Sequence, residues 1–294
     1  MSASPPPLLV MIHHNRWDLT RLAVSSLKAH TCHPYRLLLI DNASGDDLAS
    51  LTPDELITNE HPRSFAANCN LGLRASSGAA VALLNNDLYF PPGWLEGLLR
   101  ALQLGFGIAG ALTNTDVPLD KFLGHGLASL GPRFEPEDLA DKWPVLSRVL
   151  GVFNTQGRQR PPTKQPWVAF FAVALSAGVV QEVGLLDEGF IQGYEDLDYC
   201  LRAWEKGYSV VKAMDAYVVH FGGKAMVPAD AAEMAARDAH NVPLFLQHWP
   251  PDRREALLHL WSPHGLEAKG RQIWAGIEHR RDFLTRIGQT MVNG

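Results

Sequence analysis

Cysteine is scarce in this sequence. Three occur in 294 residues, Cys32, Cys69 and Cys200, too far apart for a zinc site and too few for a disulfide framework, which favours a reducing compartment. Basic charge is not in surplus: the formal net charge is -5 and the pI near 6.2, which excludes the basic footprint of a duplex nucleic acid partner. Long hydrophobic runs are also missing. The longest, Trp167 to Val180, is interrupted by Ser176 and Gly178 and falls short of the ~20 residues of a membrane span. The N-terminus MSASPPPLLVMIHH has no basic n-region, so a cytoplasmic protein is expected, with peripheral attachment at the inner face of a membrane left open. No internal repeat or low-complexity tract is present.

With 46% hydrophobic and 19% charged residues the chain can build a substantial core. Its organising stretch is AAVALLNNDLYFPP, residues 79–92. Ala79 to Leu84 reads as a strand buried on both faces, as a helix-covered parallel sheet requires. Asn85, Asn86 and Asp87 follow at once, and Pro91-Pro92 lets a helix start at Trp94. Polar side chains at the carboxyl end of a central strand stand where open α/β sheets bind ligands. This oxygen-rich cluster suits a divalent cation on a phosphate, or else it is a polar turn.

Upstream, Leu8 to Ile12 and Leu37 to Ile40 read as strands around an amphipathic helix, Trp17 to His30, with Asp18 as a candidate cap. Their polar ends, His13 to Arg16 and Asp41 to Gly45, fall on one edge of a parallel crossover. No G-x-G-x-x-G follows the first strand, which argues against a dinucleotide site. A short strand at Leu56 to Thr58 is next, and FAANCNLGLRA, residues 65–75, mixes Asn68 and Asn70 with apolar residues, as if facing a polar ligand. Residues 114–166 carry Pro118, Pro132, Pro136, Pro144, Pro161, Pro162 and Pro166 with Gly124, Gly126 and Gly131. No regular element of any length is expected there; the segment is a lid, an acceptor-binding insert or a passive excursion. Strands are expected again at Val168 to Leu175, Ser209 to Ala213 and Tyr217 to Val219, the last ending at His220. Glu195, Asp196 and Asp198 crowd a helix start, with Asp198 spaced to pair with Arg202; capping needs fewer than three acids, which leaves one to face a cleft. Helices are expected at 230–249, 254–261 and 266–287, with Trp249, Trp261 and Trp274 as core contacts, or else as a dimer or acceptor surface.

In this order the segments LLVMIHHNRWDLTRLAVSSL, LLLIDNASGD, FAANCNLGLRASSGAAVALLNNDLYFPPGWL, VGLLDEGFIQGYEDLDYCLRAWEKGYSV and AYVVHFGG resemble glycosyltransferase family 2, and in particular its bacterial rhamnosyltransferase-like members. The resemblance implies an α/β fold of GT-A type: a mostly parallel, Rossmann-like central sheet flanked by helices, at residues 1–223, with the proline-rich insert 114–166 and a helical C-terminal extension at 224–294. It implies an inverting transferase that moves a sugar from a nucleoside diphosphate of UDP or dTDP type to a glycan, lipid-linked glycan or protein acceptor in surface polysaccharide synthesis. Asp196 looks like the general base, ionised at neutral pH on the ordinary Asp pKa of about 3.9. Asp87 resembles the last aspartate of the DxD motif and, with His220, implies a site for Mn2+ or Mg2+. Asp41 looks like the reader of the base imide, joined by Asn15, Arg16, Asn70 and Asn86 as donor-nucleotide contacts, with Glu195 and Trp167 as contacts to acceptor or donor sugar. A homodimer is left open, and His13 and His14 are read as structural.

Where many family members have two carboxylates this chain reads Asn85-Asn86-Asp87. That departure motivates the alternative of a degenerate nucleotide- or glycan-binding scaffold. A sugar nucleotidyltransferase would need a G-x-G-T-R-like loop where HHNRWD stands.

Overall fold

The computed structural model describes residues 5–123, 135–139, 141–156, 160–222 and 231–292. The insert residues Gly124, Gly126, Gly131 and Pro132 and the boundary expected at 223–224 lie outside them. In chain order the elements are β1 (Leu8–His13), α1 (Trp17–His30), β2 (Arg36–Asp41), β3 (Glu55–Thr58), α2 (Phe65–Ala75), β4 (Val81–Asn85), β5 (Leu88–Tyr89), α3 (Trp94–Gln103) and β6 (Ile108–Leu112). There follow α4 (Asp120–Leu123), α5 (Trp143–Gln156), β7 (Thr163–Lys164), β8 (Ala172–Leu175), α6 (Ala177–Val183), α7 (Glu195–Glu205), β9 (Val210–Tyr217) and β10 (Val219–His220). Three helices close the chain: α8 (Ala231–His248), α9 (Pro251–Trp261) and α10 (Glu267–Val292).

Eight strands form one sheet in the order β3-β2-β1-β4-β8-β6-β9-β7. β1 runs parallel to β2 and β4, β2 to β3 and β6 to β9, while β8 lies antiparallel between β4 and β6 and β7 antiparallel on β9. Because the side-chain period of a strand is two, each central strand feeds both faces. Leu8, Val10, Leu38, Ile40, Val81 and Leu83 pack with Cys69, Leu197, Leu201 and Trp204, whereas Leu9, Met11, Leu37, Leu39, Ala82 and Leu84 pack with Val24, Leu27, Trp94 and Leu98. The continuous apolar run of β4 is explained by this double coverage. Trp249, Trp261 and Trp274 are buried in the first of these clusters, so α8, α9 and α10 share a core with the sheet. Among the described residues no helix is long and apolar enough to cross a membrane.

Four expectations change. The proline-rich insert contains a fourteen-residue helix, α5. Its prolines bracket the helix: Pro144 sits in the first turn, where a missing N–H costs nothing, and Pro161 follows the end, leaving Val145 to Gln156 free to bury Leu146 and Leu150. The strand expected from Val168 begins at Ala172. The two short strands before His220 are instead one long β9 and the two-residue β10, which pairs antiparallel with β5. Asp18 does not cap α1 through its side chain; its carboxylate takes the Arg16 guanidinium instead.

Gly97 shows how tightly α3 lies on β9, because a Cβ there would run into the backbone carbonyl of Asp215. Asp215 is itself held by Arg100 Nε at 2.7 Å. Gly97→Ala is therefore expected to destabilise the fold by about 1–3 kcal/mol. A fall of several degrees in melting temperature would show it, and an unchanged transition would refute this packing.

Candidate active site at the strand edge

Sheet register brings the polar loops together. Ile12 is level with both Ile40 and Asn85, and His13 with Asp41, so β1, β2 and β4 end on one edge. On that edge Asp41 is buried and its Oδ1 accepts the Ser44 N–H at 2.8 Å. Beside it Asn42, Asn59 and Asn68 form a buried amide network that fixes Arg63 and the start of α2.

The loop after β1 is bent through two consecutive left-handed residues, Asn15 (φ 57°) and Arg16 (φ 56°), a conformation non-glycine residues avoid. Asn86 Nδ2 holds this loop by donating to the Asn15 carbonyl at 3.1 Å and to Thr20 Oγ1 at 2.8 Å. His13, fully buried, lies 2.7 Å from Thr20 Oγ1 and 2.9 Å from Asp46, in keeping with its structural reading. Asn15 remains exposed. The Arg16 guanidinium is paired with Asp18 and with Glu135 of the insert, at 3.0 Å, which raises its pKa further.

Asp87 follows Asn86 and is 1% exposed. Its Oδ1 lies 3.3 Å from His220 Nε2, both atoms closed off from solvent. The imidazole is fixed from three directions. Asn114 brackets the His220 backbone, accepting its N–H at 2.8 Å and donating to its carbonyl at 3.0 Å; the Asp87 carbonyl accepts the Phe221 N–H; and the Phe171 ring stacks on His220 at 5.0 Å. A carboxylate oxygen and an imidazole nitrogen at this separation fit neighbouring ligands of one cation, since two bonds of about 2.1 Å at near right angles put their donors about 3 Å apart. Among the described residues no third His, Cys, Asp or Glu joins them.

Phe171 also ties in Asp196. Its carbonyl accepts the Asn85 N–H at 2.8 Å, while the N–H of its neighbour Phe170 donates to the Asp196 carboxylate. Asp196 sits in the first turn of α7 after a turn of three positive-φ residues, Gln192 (49°), Gly193 (139°) and Tyr194 (74°). Part of the residue reaches solvent, yet its carboxyl is enclosed. Burial, reinforced by the neighbouring Glu195, pushes it up to about 7. Asp196 is thus not the simply ionised aspartate expected at neutral pH; it titrates there. Glu195 is buried, accepts the Gly193 N–H at 2.6 Å, and is itself raised by burial. Asp198 pairs with Arg202 as its spacing suggests, and also takes the Trp249 indole N–H.

Two residues expected at the nucleotide have other work. Asn70 is buried, with its Oδ1 on the Leu186 N–H and its Nδ2 on the Leu186 carbonyl and Glu188, so it braces the segment before α7. Asn86, as above, positions the β1 loop. Trp167 lies 37% exposed on the segment leading to Phe170. Sequence reasoning missed Asn114, Phe170, Phe171 and Asn241; only the polar residue just past β6 gave any signal.

This mixed sheet, with a carboxylate–histidine pair at one strand end and a titrating aspartate at the start of α7, has the GT-A fold. Residues 8–143 match the family model of glycosyl transferase family 2. The chain is 25% identical over 249 residues to the pre-mycofactocin glycosyltransferase of Mycobacterium tuberculosis, covering 78% of this chain and 47% of that protein. It thus spans about half the length of the curated relatives it matches. Among solved structures it resembles the mannosyltransferase PcManGT of Pyrobaculum calidifontis in complex with GDP-Man and Mn2+ (TM-score 0.55, 16% identity, 99% of this chain and 81% of that one). It also resembles GalNAc-T7 with UDP, GalNAc and Mn2+ (TM-score 0.54, 15% identity, 73% and 43%) and residues 1–349 of S. aureus TarS (TM-score 0.53, 11% identity, 96% and 73%). These likenesses show a shared fold.

Replacing Asn70 by Ala strands the Leu186 N–H and carbonyl in the interior. A loss of about 1–3 kcal/mol in stability is expected. Nucleotide affinity, read by calorimetry, should not change; a selective loss of nucleotide binding would restore Asn70 to the donor site.

Proposed function

We propose that the chain is an inverting glycosyltransferase that moves a sugar from a nucleoside diphosphate to an acceptor hydroxyl, in the synthesis of a bacterial surface polysaccharide. The observation that carries this reading is the convergence around the Phe170-Phe171 segment of Asp196 and His220 with Asp87, which lies more than a hundred residues before either. Asp41, at the end of β2, would accept the imide N–H of a uracil or thymine, the basis for a UDP- or dTDP-type donor. Asn15 and Arg16 flank the diphosphate path on the β1 loop, while Glu195 and Trp167 are assigned to the sugar or acceptor side.

Asp87 and His220 would hold Mn2+ or Mg2+, with donor phosphate oxygens and water filling the remaining positions, as hard cations prefer. Bound there, the cation supplies Lewis-acid neutralisation of the charge that builds on the leaving diphosphate. At the other end Asp196 takes the acceptor proton as its oxygen attacks the anomeric carbon. One carbon–oxygen bond forms, the bond to phosphate breaks on the opposite face, and configuration inverts. Proton abstraction works best with a base whose pKa lies near the working pH, and burial brings Asp196 to about 7.

The carboxyl of Asp196 titrates higher in the folded chain than in the unfolded one, so between about pH 4 and 7 the native state keeps a proton the unfolded state has lost. Its burial therefore costs stability as pH rises through that window, most fully above 7. Asp196→Asn is expected to abolish transfer, leave donor binding intact and raise the melting temperature at pH 8, with the gain fading towards pH 4. Wild-type kcat should climb as pH passes about 7. Near-normal turnover by the variant would remove Asp196 as the base.

Asp87→Ala is expected to weaken nucleoside diphosphate binding about tenfold or more with Mn2+ present and not at all in chelator. Calorimetry under both conditions reads this, and equal losses would exclude the cation assignment. Incubation with Mn2+ and a panel of nucleotide sugars tests the reading as a whole: slow donor hydrolysis supports a transferase, and binding without hydrolysis supports the scaffold.

A further inference from the structure

Asn241 lies in the middle of α8, 1% exposed, with apolar Val242 beside it and Phe245 one turn on. An amide buried in such surroundings is costly unless its donors and acceptor are all used. Here they are. Asn241 Oδ1 accepts the Ile191 N–H at 2.9 Å, and its Nδ2 donates to the Ile191 carbonyl at 2.8 Å and the Gly193 carbonyl at 3.2 Å. The side chain therefore pairs with one residue's N–H and carbonyl together, as a neighbouring strand would. It does so at the turn that enters α7, where Gln192, Gly193 and Tyr194 all have positive φ, a run that persists only where surroundings over-determine it.

We propose that Asn241 is a positioning residue for sugar transfer, clamping the 191–194 turn so that Glu195 and Asp196 face the acceptor, which makes α8 part of the catalytic unit. This rests on the transferase reading above. The clamp reaches the carboxylates through one more bond, because the Gly193 N–H donates to Glu195 Oε2 at 2.6 Å and Asp196 is next in the chain. Rings also pack against the turn: Phe190 and Tyr194 stack at 6.4 Å, and Tyr194 meets Phe245 of α8 at 5.3 Å. These contacts fill space without setting the backbone direction; the three amide bonds set it. The ionisable groups facing Asp196 are Glu195, Cys69 on α2 and Cys200 one turn along α7. Loosening the turn lets water in among them.

The test compares Asn241→Ala, the isosteric Asn241→Asp and Met234→Ser, an exposed position on the same helix. Hydrogen exchange of the 189–196 peptide, calorimetric nucleotide affinity with Mn2+, and kcat, KM and the pH profile of donor hydrolysis and transfer are measured on the full chain. In Asn241→Ala, exchange at 191–194 is expected to accelerate about tenfold. There kcat should fall about tenfold or more, since small misplacement of a reacting group is expensive. Donor KM and nucleotide affinity should hold, and the acid limb should move below about 7. Asn241→Asp keeps the bond from Ile191 N–H but turns an oxygen towards two carbonyls, so it should fold and be impaired in the same way. Met234→Ser should match wild type in every readout. Faster exchange with unchanged kcat and pH limb overturns the positioning role; unchanged exchange in both Asn241 variants overturns the clamp. Should the wild type hydrolyse no sugar nucleotide, the transferase reading fails, and exchange alone still decides the clamp.

Discussion

The site depends on where one short strand is threaded. β8 runs antiparallel between β4 and β6, so its entering end, not its leaving end, lies at the edge where the parallel strands finish. That reversal delivers Phe170 and Phe171 to the cleft, and the bond from Asn85 N–H to the Phe171 carbonyl locks them level with the end of β4. Two adjacent residues can then hold both parts of the site, one backbone N–H reaching Asp196 and one ring covering His220. A parallel β8 would have placed its polar exit there, and nothing would link the Asp87–His220 pair to Asp196.

Much of this was legible in the residues and some was not, for reasons that differ. Buried runs that stop at Asp41 and at Asn85-Asn86-Asp87 announce strand ends, since a chain rarely exposes three polar groups straight after a fully apolar strand without purpose. The direction of β8 was hidden because four small residues, Ala172 to Leu175, look alike read either way. Asn70 and Asn86 both bond within the chain, and an amide among apolar residues signals a buried group with its bonds satisfied; the pattern alone does not say whether the partner is a ligand or backbone. Asn241 gave no signal at all, one polar residue among several in a long helix, with a partner 50 residues away. The ionisation of Asp196 was out of reach because it is set by enclosure, which residue type does not report.

The acidic start of α7 shows two uses of a carboxylate only two residues apart. Asp198 is fully paired, with Arg202 and the Trp249 indole, and serves to join α7 to α8. Asp196 receives backbone N–H groups but, among the described residues, no cation, and its enclosure keeps it able to gain and lose a proton near neutrality. Stability and reactivity are thus divided between neighbours on one helix.

The insert is anchored on the β5–β10 pair, which carries His220. Trp143 of α5 stacks on Tyr89 of β5 at 4.2 Å and meets Phe221 edge-on at 6.1 Å, and Asn154 bonds to Pro92 and to both the N–H and carbonyl of Tyr217. A chimera that trades residues 114–166 wholesale with a relative, in the hope of changing acceptor preference, would take this foundation with it. The exchangeable unit is narrower: grafts must leave Asn114, Trp143 and Asn154 in the host, and splice between them.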